Sequence, residues 1–474
     1  MRVGTLLLVI GVVFAYECPK LNQLPDTCSC HETVHGLVVD CQDAPIPTIF
    51  QALKRKTVDI IRIVTCTEHS DGKKETTFSM FVRNMTIQRC DFDRIPPNLL
   101  EDVGTRLRYL NIERNNFTKF PHLGNLDILD TLEIGNNNLT KLTPTTFANL
   151  PRLKTLKMNN GSLTTFPTLA MKPLNGSLLI LDISHNFFVD LSAITLPRFQ
   201  LQKLDVSYNL LTSVKIPGFW QMTSLQELKL NNNKITEAVT LHSILTLKVL
   251  DLSGNQISRI SHGFFNRATA VETLDVSSNT IVEIPNLTSL PNLTTINLDN
   301  NKVDSLGEGT FDANAKLSAI SCRSNRISHI SADTFTNANN SITVLFLNNN
   351  TITTIENGTF GMLHELTELG LSHNHQIEIS NVSHPGLKKV FRLDIGSTNL
   401  KTLRKNDFDG MVKLEWLDVR NNSIERIEEG TFGERMGTIL ISVAQKRHSP
   451  TIPNIPLSPT STTTALPPST KQRP

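Results

Sequence analysis

The chain has 474 residues, of which 39% are hydrophobic and 19% charged, and its formal net charge is +2. A charge this close to zero provides no broad attraction to nucleic acid or to an acidic membrane surface, so neither is predicted as a partner. Length alone predicts about three domains of ~150 residues each, a division that stacked repeats do not need.

Residues 1–15 are predicted to be a signal peptide. Arg2 is followed by an apolar run that ends at Ala15, and Val13 and Ala15 are small enough for cleavage before Tyr16. A run this short does not comfortably span a bilayer, and a signal anchor is the alternative. Because no other run of about 18 apolar residues occurs, we expect a secreted, extracellular protein without a membrane span.

Residues 16–57 are predicted to form an N-terminal cap closed by disulfides. Four of the seven cysteines of the chain lie there, at Cys18, Cys28, Cys30 and Cys41. Four cysteines allow three pairings, and spacing alone does not choose among them. A zinc site is the alternative, which an oxidising compartment disfavours.

Residues 58–443 carry a repeated motif. A clear copy, LKVLDLSGNQI, begins at Leu247 and is apolar at its first, fourth, sixth and eleventh positions, with Asn at the ninth. Apolar residues two apart predict a short strand with one inward face. Such a unit buries that face only when neighbours stack on it. Sixteen copies, spaced 22 to 25 residues apart, begin at Val58, Val82, Leu107, Leu129, Leu153, Leu178, Leu201, Leu225, Leu247, Val271, Leu293, Leu317, Ile342, Leu366, Val390 and Leu414.

The motif L-x-x-L-x-L-x-x-N-x-L is the leucine-rich repeat signature, and the chain resembles the extracellular members of that family. The resemblance implies an α/β-type leucine-rich repeat solenoid with a curved parallel β-sheet on its concave face. Mostly loops and short turns are expected on the convex face. In the family's N-terminal cap the first cysteine bonds the third and the second bonds the fourth, which implies Cys18–Cys30 and Cys28–Cys41. The four-cysteine C-terminal cap common in receptor ectodomains is missing, since no cysteine follows Cys322.

The repeat register brings two further cysteines together. Cys66 and Cys90 each hold the ninth position, in the first and second repeats. Equivalent positions of adjacent coils lie about 4.8 Å apart, within the Cα separation of a disulfide, ~4.4 to 6.8 Å. The register therefore predicts a Cys66–Cys90 bond. Cys322 falls at an inward sixth position and is predicted to be a buried thiol.

Phenylalanines recur six or seven residues before the next repeat begins. We expect them to point inward from the convex side and to stack as a spine of buried rings. The ligand-binding aromatic box is the less favoured alternative. The residues are Phe147, Phe219, Phe265, Phe311, Phe335, Phe360, Phe408 and Phe432.

Twelve Asn-x-Ser/Thr sequons occur, and in a secreted chain several are expected to carry glycans. Those at or beside the ninth-position asparagines are expected to be occluded. The predicted glycosylation sites are nine of the twelve: Asn84, Asn116, Asn138, Asn175, Asn286, Asn292, Asn339, Asn357 and Asn381; the other three sequons are Asn160, Asn349 and Asn421.

Residues 444–474 are rich in Pro, Thr and Ser and are predicted to be disordered. Nothing in the chain indicates catalysis or a cofactor. His373 and His375 have no further ligand at zinc-site spacing, and no Walker loop or nucleophile elbow is present. Ser184 and His185 occupy the seventh and eighth repeat positions, where Ser recurs, so no enzyme is predicted.

Function is therefore expected on the outward face of the strands. In the N-terminal half the fifth position is mostly acidic, with Lys229 among Asp182, Asp205, Asp251 and Asp275, which leaves a site for a cation or a basic ligand as an alternative. In the C-terminal half, exposed aromatic and Arg residues have the composition of a binding hot spot. The predicted partner-binding residues are Arg323, Val344, Phe346, Arg392, Trp416 and Arg420.

Two further expectations concern this face. Gly370 is expected to leave room beside Phe346. Alternatively, Phe391 and Trp416 pack under the C-terminal tail as a makeshift cap.

The stretches ECPKLNQLPDTCSC and GLVVDC, with the 24-residue repeats, resemble arthropod secreted proteins akin to the non-catalytic subunit of oplophorus-luciferin monooxygenase. The resemblance implies a non-enzymatic secreted partner. The predicted function is a secreted module that binds an extracellular protein or glycan through its concave face. The alternatives are an accessory subunit that stabilises a secreted enzyme, and a truncated receptor ectodomain.

Overall fold

The computed structural model divides the chain into two compact units, Met1–Lys229 (unit 1) and Leu230–Pro474 (unit 2). The predicted signal peptide, Phe219, Asn339 and the predicted tail lie outside the residues that the structure describes. The described residues are 16–20, 23–67, 80–90, 100, 103, 106–192, 200–214, 222–238, 241, 244–336, 341–375, 377–382, 385–433 and 439–442.

Unit 1 begins with a disulfide-bonded hairpin. Strands β1 (Cys28–Thr33) and β2 (Gly36–Gln42) pair antiparallel, and disulfides join Cys18 to Cys30 and Cys28 to Cys41. Helix α1 (Ile46–Ala52) has Pro47 in its first turn, where a proline loses no helical hydrogen bond. The helix buries Ile46, Ile49 and Phe50, so the hairpin and α1 together cover the apolar start of the repeats.

The remaining strands of unit 1 form a parallel sheet with β2. Neighbouring strands pair at equivalent repeat positions, as Leu132 does with Leu156. The middle residue of each three-residue strand is the fourth position of its repeat and is buried. The strands are β3 (Thr57–Val64), β4 (Phe81–Gln88), β5 (Tyr109–Asn111), β6 (Thr131–Glu133), β7 (Thr155–Lys157), β8 (Ile180–Asp182), β9 (Lys203–Asp205) and β10 (Glu227–Lys229).

Unit 2 continues the same repeat with a parallel sheet of its own three-residue strands. The predicted fold class, a leucine-rich repeat solenoid with a parallel sheet and little helix, is confirmed. The strands of unit 2 are β11 (Glu237–Ala238), β12 (Val249–Asp251), β13 (Arg259–Ile260), β14 (Thr273–Asp275), β15 (Thr295–Asn297), β16 (Ala319–Ser321), β17 (His329–Ile330), β18 (Val344–Phe346), β19 (Thr354–Ile355), β20 (Glu368–Gly370), β21 (Arg392–Asp394), β22 (Thr402–Leu403), β23 (Trp416–Asp418), β24 (Arg426–Ile427) and β25 (Leu440–Ser442).

The side opposite the main sheet consists mostly of turns. Its helices are short: α2 (Thr168–Met171), α3 (Ile379–Val382) and the 3₁₀ helices Lys172–Leu174 and Ala332–Phe335. In unit 2, two-residue strands at repeat positions thirteen and fourteen also pair in parallel: β11 with β13, β17 with β19, and β22 with β24. Sequence analysis did not predict these pairs, because two residues are too few to show a periodicity.

The ninth-position asparagines form a buried ladder that links successive coils. Oδ1 of Asn137 accepts the backbone N–H of Phe117 at 3.1 Å, in the preceding coil. Its Nδ2 donates to the carbonyl oxygens of Ile112, also in the preceding coil, and of Ile134. The amide thus satisfies backbone groups that the turn after each strand would otherwise leave buried and unpaired. Where Thr398 holds the ninth position, its hydroxyl donates to the carbonyl of Ile395 instead.

Beside the ladder, the eighth position has a left-handed backbone in each repeat, as at Asn136 (φ 55°), Gly254 (φ 63°) and Ser324 (φ 55°). Asn and Gly tolerate this region best, which explains their frequency there. A tyrosine at Tyr208 and histidines at His185 and His373 adopt it too. The repeated turn imposes this conformation even where the side chain disfavours it.

Seven of the eight predicted spine phenylalanines are described, and each is buried. In unit 2 the rings of Phe311 and Phe335 stack with centroids 5.9 Å apart, and those of Phe408 and Phe432 lie 5.6 Å apart. In unit 1, Phe147 meets Phe120 edge to face at 5.2 Å. The rings fill the space between the sheet and the turns, so these positions belong to the core.

Cys66 and Cys90 form a disulfide between adjacent coils, with a Cα–Cα distance of 4.8 Å. It stands where later repeats have the asparagine ladder, and the N–H of Cys90 donates to Oδ1 of Asn115 in the first repeat that has one. Cys322 is a buried thiol on the inward side of its repeat, and burial raises its pKa well above the usual range. The residue is therefore placed as a core side chain.

Candidate functional site

The outward face of the main sheet in unit 2, repeat positions three, five and seven, is called the strand face here. In β18 the middle residue, Leu345, is buried, whereas Val344 and Phe346 are half-buried. The alternation follows from the two-residue period of a strand. Side chains on this face stand on strands that neighbours hold on both sides, so their positions are rigid.

The first cluster on the strand face is a stack of Arg323 on Phe346. The guanidinium carbon of Arg323 lies 3.8 Å from the centroid of the Phe346 ring, a cation–π distance. Asp299 accepts the backbone N–H of Arg323 at 2.7 Å, and its carboxylate lies 3.7 Å from Nη1. The Arg323 side chain remains 43% exposed, so it is oriented by its neighbours and still accessible to a partner.

The second cluster has the same construction. The guanidinium carbon of Arg392 lies 4.3 Å from the Trp416 ring centroid, and its Nη1 lies 4.0 Å from a carboxylate oxygen of Glu368. Strand register places Glu368, Arg392, Trp416 and Leu440 in one row across four coils. Leu440 is 58% exposed, so an apolar end adjoins the stacked pair.

Arg420, the third predicted arginine of the strand face, is paired with a carboxylate and not with an aromatic ring. Its Nε and Nη2 both donate to the carboxylate of Asp418, which is buried, and the same carboxylate accepts the Arg420 backbone N–H at 2.9 Å. The hydrogen bonds and the negative charge of Asp418 raise the pKa of Arg420. Arg420 is therefore oriented by a structural carboxylate, although its side chain remains 53% exposed.

The expected space beside Phe346 is filled, so that expectation was wrong. A Cβ at Gly370 would lie 2.2 Å from Oδ1 of Asn348, which shows that the asparagine side chain occupies the space. Nδ2 of Asn348 donates to Ser372 Oγ at 2.7 Å and to Asp394 Oδ2 at 2.9 Å. A polar bridge therefore lies between the two Arg–aromatic clusters.

Next to this bridge is a shallow depression of about 380 Å³. Gly396 forms its floor, because a Cβ there would lie 3.5 Å from Asp418 and 3.6 Å from Asp394. The depression makes the strand face concave close to Trp416 and the row of residues that contains it. It is lined by Ser372, His373, Asp394, Gly396, Ser397, Asp418, Arg420 and Asn421.

The acidic row at position five has a structural explanation. Asp182 accepts the backbone N–H and the hydroxyl of Ser184, at 2.9 and 2.7 Å. The other three aspartates of the row likewise accept the backbone N–H two residues further on. Burial raises the pKa of Asp182. Lys229 lies 3.8 Å from Asp205. These carboxylates close the turn after each strand, which weighs against a cation or basic-ligand site.

A polar network that was not predicted from the sequence lies on the outward face of unit 1. Glu133 accepts from the Tyr109 hydroxyl at 2.9 Å and from Asn111 Nδ2 at 2.7 Å, and its other oxygen lies 2.6 Å from Lys157 Nζ. The hydrogen bond to Glu133 raises the pKa of Lys157. Burial raises the pKa of Glu113, and the charge of Glu133 adds to the effect. All of these residues hold position three, five or seven of successive repeats. The repeat register therefore predicts that they lie on one face, but it does not predict which of them form hydrogen bonds.

The predicted glycosylation sites differ in exposure. Asn116, Asn138 and Asn357 are exposed, whereas Asn84, Asn175, Asn286 and Asn292 are half-buried. Asn339 and the side chain of Asn381 lie outside the described residues. The other three sequon asparagines, Asn160, Asn349 and Asn421, are also exposed.

Two of the half-buried sequons have special surroundings. Asn84 lies in β4, at the third position of its repeat, on the outward face of unit 1. Nδ2 of Asn292 donates to the carbonyl of Thr269 at 2.9 Å, so the nitrogen that would carry a glycan is already engaged.

The described part of the chain contains neither a metal-binding cluster nor a membrane-spanning helix. No group of three or more His, Cys, Asp or Glu residues is placed to hold a metal ion there. No helix in that part is both long and apolar enough to cross a bilayer.

The chain is similar to known proteins in sequence and in fold. A curated relative, Receptor-like protein 7 of Arabidopsis thaliana, is 31% identical over 150 residues, which are 30% of this chain and 15% of that protein. The chain thus matches only a small part of that relative's length.

Three solved structures share the fold. A leucine-rich repeat protein of Leptospira interrogans has a TM-score of 0.62 at 21% identity, over 84% of this chain and 93% of that one. The Toll–Spatzle complex of Drosophila has a TM-score of 0.64 at 20% identity, over 88% and 67%. The ectodomain of the receptor kinase GASSHO1/SCHENGEN3 of Arabidopsis thaliana, in complex with CASPARIAN STRIP INTEGRITY FACTOR 2, has a TM-score of 0.54 at 19% identity, over 80% and 46%.

The sequence model of the family described as "Leucine rich repeat" matches residues 127–188, 176–235, 246–303, 315–375 and 378–433, which together exceed half of the chain. These segments contain strands β6 to β10 and β12 to β24, most of the asparagine ladder and most of the phenylalanine spine described above. The chain belongs to the leucine-rich repeat family.

Proposed function

We propose that this protein is a secreted module that binds an extracellular protein through the strand face of unit 2. The observation that carries the proposal is the pair of Arg–aromatic stacks, Arg323 on Phe346 and Arg392 on Trp416. Arg, Trp and other aromatic residues dominate binding hot spots, and a planar guanidinium that is already stacked loses little freedom on binding. A protein ligand fits better than a small molecule, because the face is broad and its depression is shallow.

The domain organisation is part of the same proposal. It consists of a signal peptide at 1–15, a cap at 16–57, repeats at 58–443 and a disordered tail at 444–474. Three disulfides support passage through an oxidising compartment. Protein secreted from expressing cells should begin at Tyr16 and lose mass on N-glycosidase treatment. An intact Met1 with no loss of glycan mass would exclude secretion by this route.

Two finer proposals name the kind of partner. The resemblance to arthropod proteins akin to the non-catalytic subunit of oplophorus-luciferin monooxygenase favours an accessory subunit that stabilises a secreted enzyme. The ectodomain of GASSHO1/SCHENGEN3 and Toll, both seen in complexes, favour a receptor-like ligand-binding role. Co-purification with an enzymatic activity would select the first, and a longer transcript encoding a membrane segment would select the second.

Differential capture tests the proposed binding face. The full secreted chain, the double variant Phe346→Ala/Trp416→Ala and the control Thr273→Ala/Thr295→Ala are immobilised and exposed to extracellular fluid. The control residues hold position three on neighbouring strands of the same sheet. Bound proteins are identified by mass spectrometry.

We expect proteins that bind the wild type and the control but not the double variant. The same set of proteins on all three would refute the proposed face. If binding is lost after the fluid is treated with N-glycosidase, the ligand is a glycan on those proteins.

A further inference from the structure

A separate feature lies in unit 1, at the N-terminal ends of β3, β4 and β5. A depression of about 270 Å³ opens there, and none of its lining residues is used by the proposed function. The arginines Arg83, Arg106 and Arg108 line it, with the exposed His35 beside them. We call these four residues the basic edge.

Carboxylates only partly neutralise the basic edge. Nη1 of Arg83 lies 3.4 Å from Asp59, whose side chain is only 12% exposed. Nη1 of Arg108 lies 3.0 Å from Asp130, which Lys154 also approaches, at 3.3 Å. Among the residues that line the depression, three guanidinium groups thus face one carboxylate, Asp59.

Arg106 differs from its two neighbours because it makes no ion pair with a described carboxylate. Its guanidinium carbon lies 4.4 Å from the centroid of the Phe81 ring, and Phe81 is 44% exposed. The aromatic ring orients the guanidinium, and no carboxylate within the described part of the chain accepts from its N–H groups. Arg106 is therefore a cation held in a fixed orientation, and its N–H groups are available to bind an anion.

The spacing of the cations suits a chain of anions. Arg83 and Arg108 hold the second positions of successive repeats, so they follow the coil spacing of about 4.8 Å. A guanidinium matches the oxygens of a sulfate with two parallel hydrogen bonds. Single-stranded nucleic acid fits less well, since it needs free aromatic faces for base stacking, and Arg106 covers a face of Phe81.

We propose that the basic edge binds a sulfated oligosaccharide. Successive sulfates would pair with Arg83, Arg106 and Arg108, and the sugar rings would lie over the depression. The site is independent of the strand face in unit 2, so the secreted protein would hold a polyanionic glycan with one unit and a protein with the other.

Isothermal titration with a heparin-derived octasaccharide tests the proposal on the full secreted chain. We expect binding that weakens as NaCl rises from about 50 to about 200 mM, because exposed charges are screened over that range. The triple variant Arg83→Gln/Arg106→Gln/Arg108→Gln should bind at least about tenfold more weakly, since three charge-assisted contacts are lost. Arg106→Gln alone should retain the fold, because Arg106 is exposed and pairs with no carboxylate of the described residues, and it should account for part of the loss.

The matched control removes the same charge from unit 2, as Lys248→Gln/Lys316→Gln/Lys389→Gln. We expect it to bind the octasaccharide like the wild type. Three outcomes would overturn the proposal: equal weakening in the control, equal binding of a desulfated octasaccharide, or equally effective competition by single-stranded DNA of the same length. Circular dichroism melting of each variant verifies that a loss of binding is not a loss of fold.

Discussion

The outward strand faces of the two units use the same repeat positions in opposite ways. In unit 1, Glu133 takes hydrogen bonds from two residues and an ion pair from a third, so the polar side chains satisfy one another. In unit 2, Arg323 and Arg392 lie on aromatic rings and keep about half of their side-chain surface exposed. A closed network stabilises its own coils, whereas exposed stacks leave interaction capacity for a partner. The register alone does not distinguish the two.

The units also differ in how their coils are joined. The first two repeats of unit 1 lack the ninth-position asparagine and have the Cys66–Cys90 disulfide in its place. Replacement by Cys66→Ser/Cys90→Ser should lower the free energy of unfolding by about 3 kcal/mol, because the unfolded chain gains freedom. Chemical denaturation without reductant measures the loss. Cys322→Ala, which changes a buried free thiol in unit 2, is the control and should cost clearly less.

Non-reducing peptide mapping sharpens this first prediction. It should link Cys66 to Cys90, and Cys322 should react with an alkylating agent only after denaturation, since it is buried. Cys66 found free, or bonded to Cys41, would show that the register of the first repeats is misplaced.

The second prediction concerns binding. Trp416→Ala should weaken the captured partner's affinity by about 30-fold, the effect of losing about 2 kcal/mol at a hot spot. Tyr109→Phe, which changes an aromatic residue at the same repeat position in unit 1, should leave affinity unchanged. Titration of the purified partner measures both. A comparable loss in Tyr109→Phe would abolish the distinction between the two faces.

The third prediction tests the network of unit 1. Glu133→Gln should lower the free energy of unfolding by about 1–2 kcal/mol, because an ionised acceptor of three contacts becomes a neutral one. Partner binding at unit 2 should not change. Glu272→Gln, which removes the partner of Lys248 in an exposed pair, should cost well under 1 kcal/mol.

The pH dependence of this effect has a definite sign. Glu133 raises the folded-state pKa of Lys157, so the stabilisation is complete below the unfolded pKa of lysine, about 10.4. It is lost as pH rises through the higher folded value. The stability difference between wild type and Glu133→Gln should therefore be constant from about pH 7 to 9 and shrink above about pH 10.5. A difference that grows with pH would contradict the assignment.

The smallest expected effect is at Glu113. Burial raises its folded pKa, so the folded state binds the proton more tightly and wild-type stability falls as pH rises through that range. Glu113→Gln should therefore gain a few tenths of a kcal/mol at pH 7. The gain should vanish near pH 4, where the wild-type carboxyl is also protonated. Thermal melting of the wild type and the variant at pH 7 and pH 4 measures this gain in stability. A gain that persists at pH 4 would contradict the assignment to the raised pKa of Glu113.

The sequence predicts those features that depend on register alone. Position four points inward because strands alternate, as Leu132 and Leu345 show. The ninth-position asparagine is the amide that can serve both donors and acceptors of the turn, as Asn137 does. Phe311 and Phe335 stack because equivalent positions of adjacent coils are neighbours.

What the sequence did not predict depends on side-chain direction. Asn348 turns into the space above Gly370 and reaches Asp394 two coils away. Arg420 turns onto Asp418 of its own strand, although Arg323 and Arg392 turn onto rings of the next coil. Several rotamers are open to each of these long side chains, and the repeat spacing does not select one. The candidate residues were therefore identifiable, but their partners were not.

The asparagine ladder gives the chain a direction. Asn255 accepts the N–H of Ile235 in the coil before it, whereas the N–H of Ile257 in its own coil is held by Asn279 of the coil after it. Loss of the Asn255 side chain would orphan a buried donor toward the N-terminus and leave the one toward the C-terminus satisfied. The loss therefore affects the preceding coil and the coil of Asn255 itself, whose Leu252 carbonyl also accepts from the amide. Each coil thus depends, for the turn after its strand, on the asparagine of the coil that follows it.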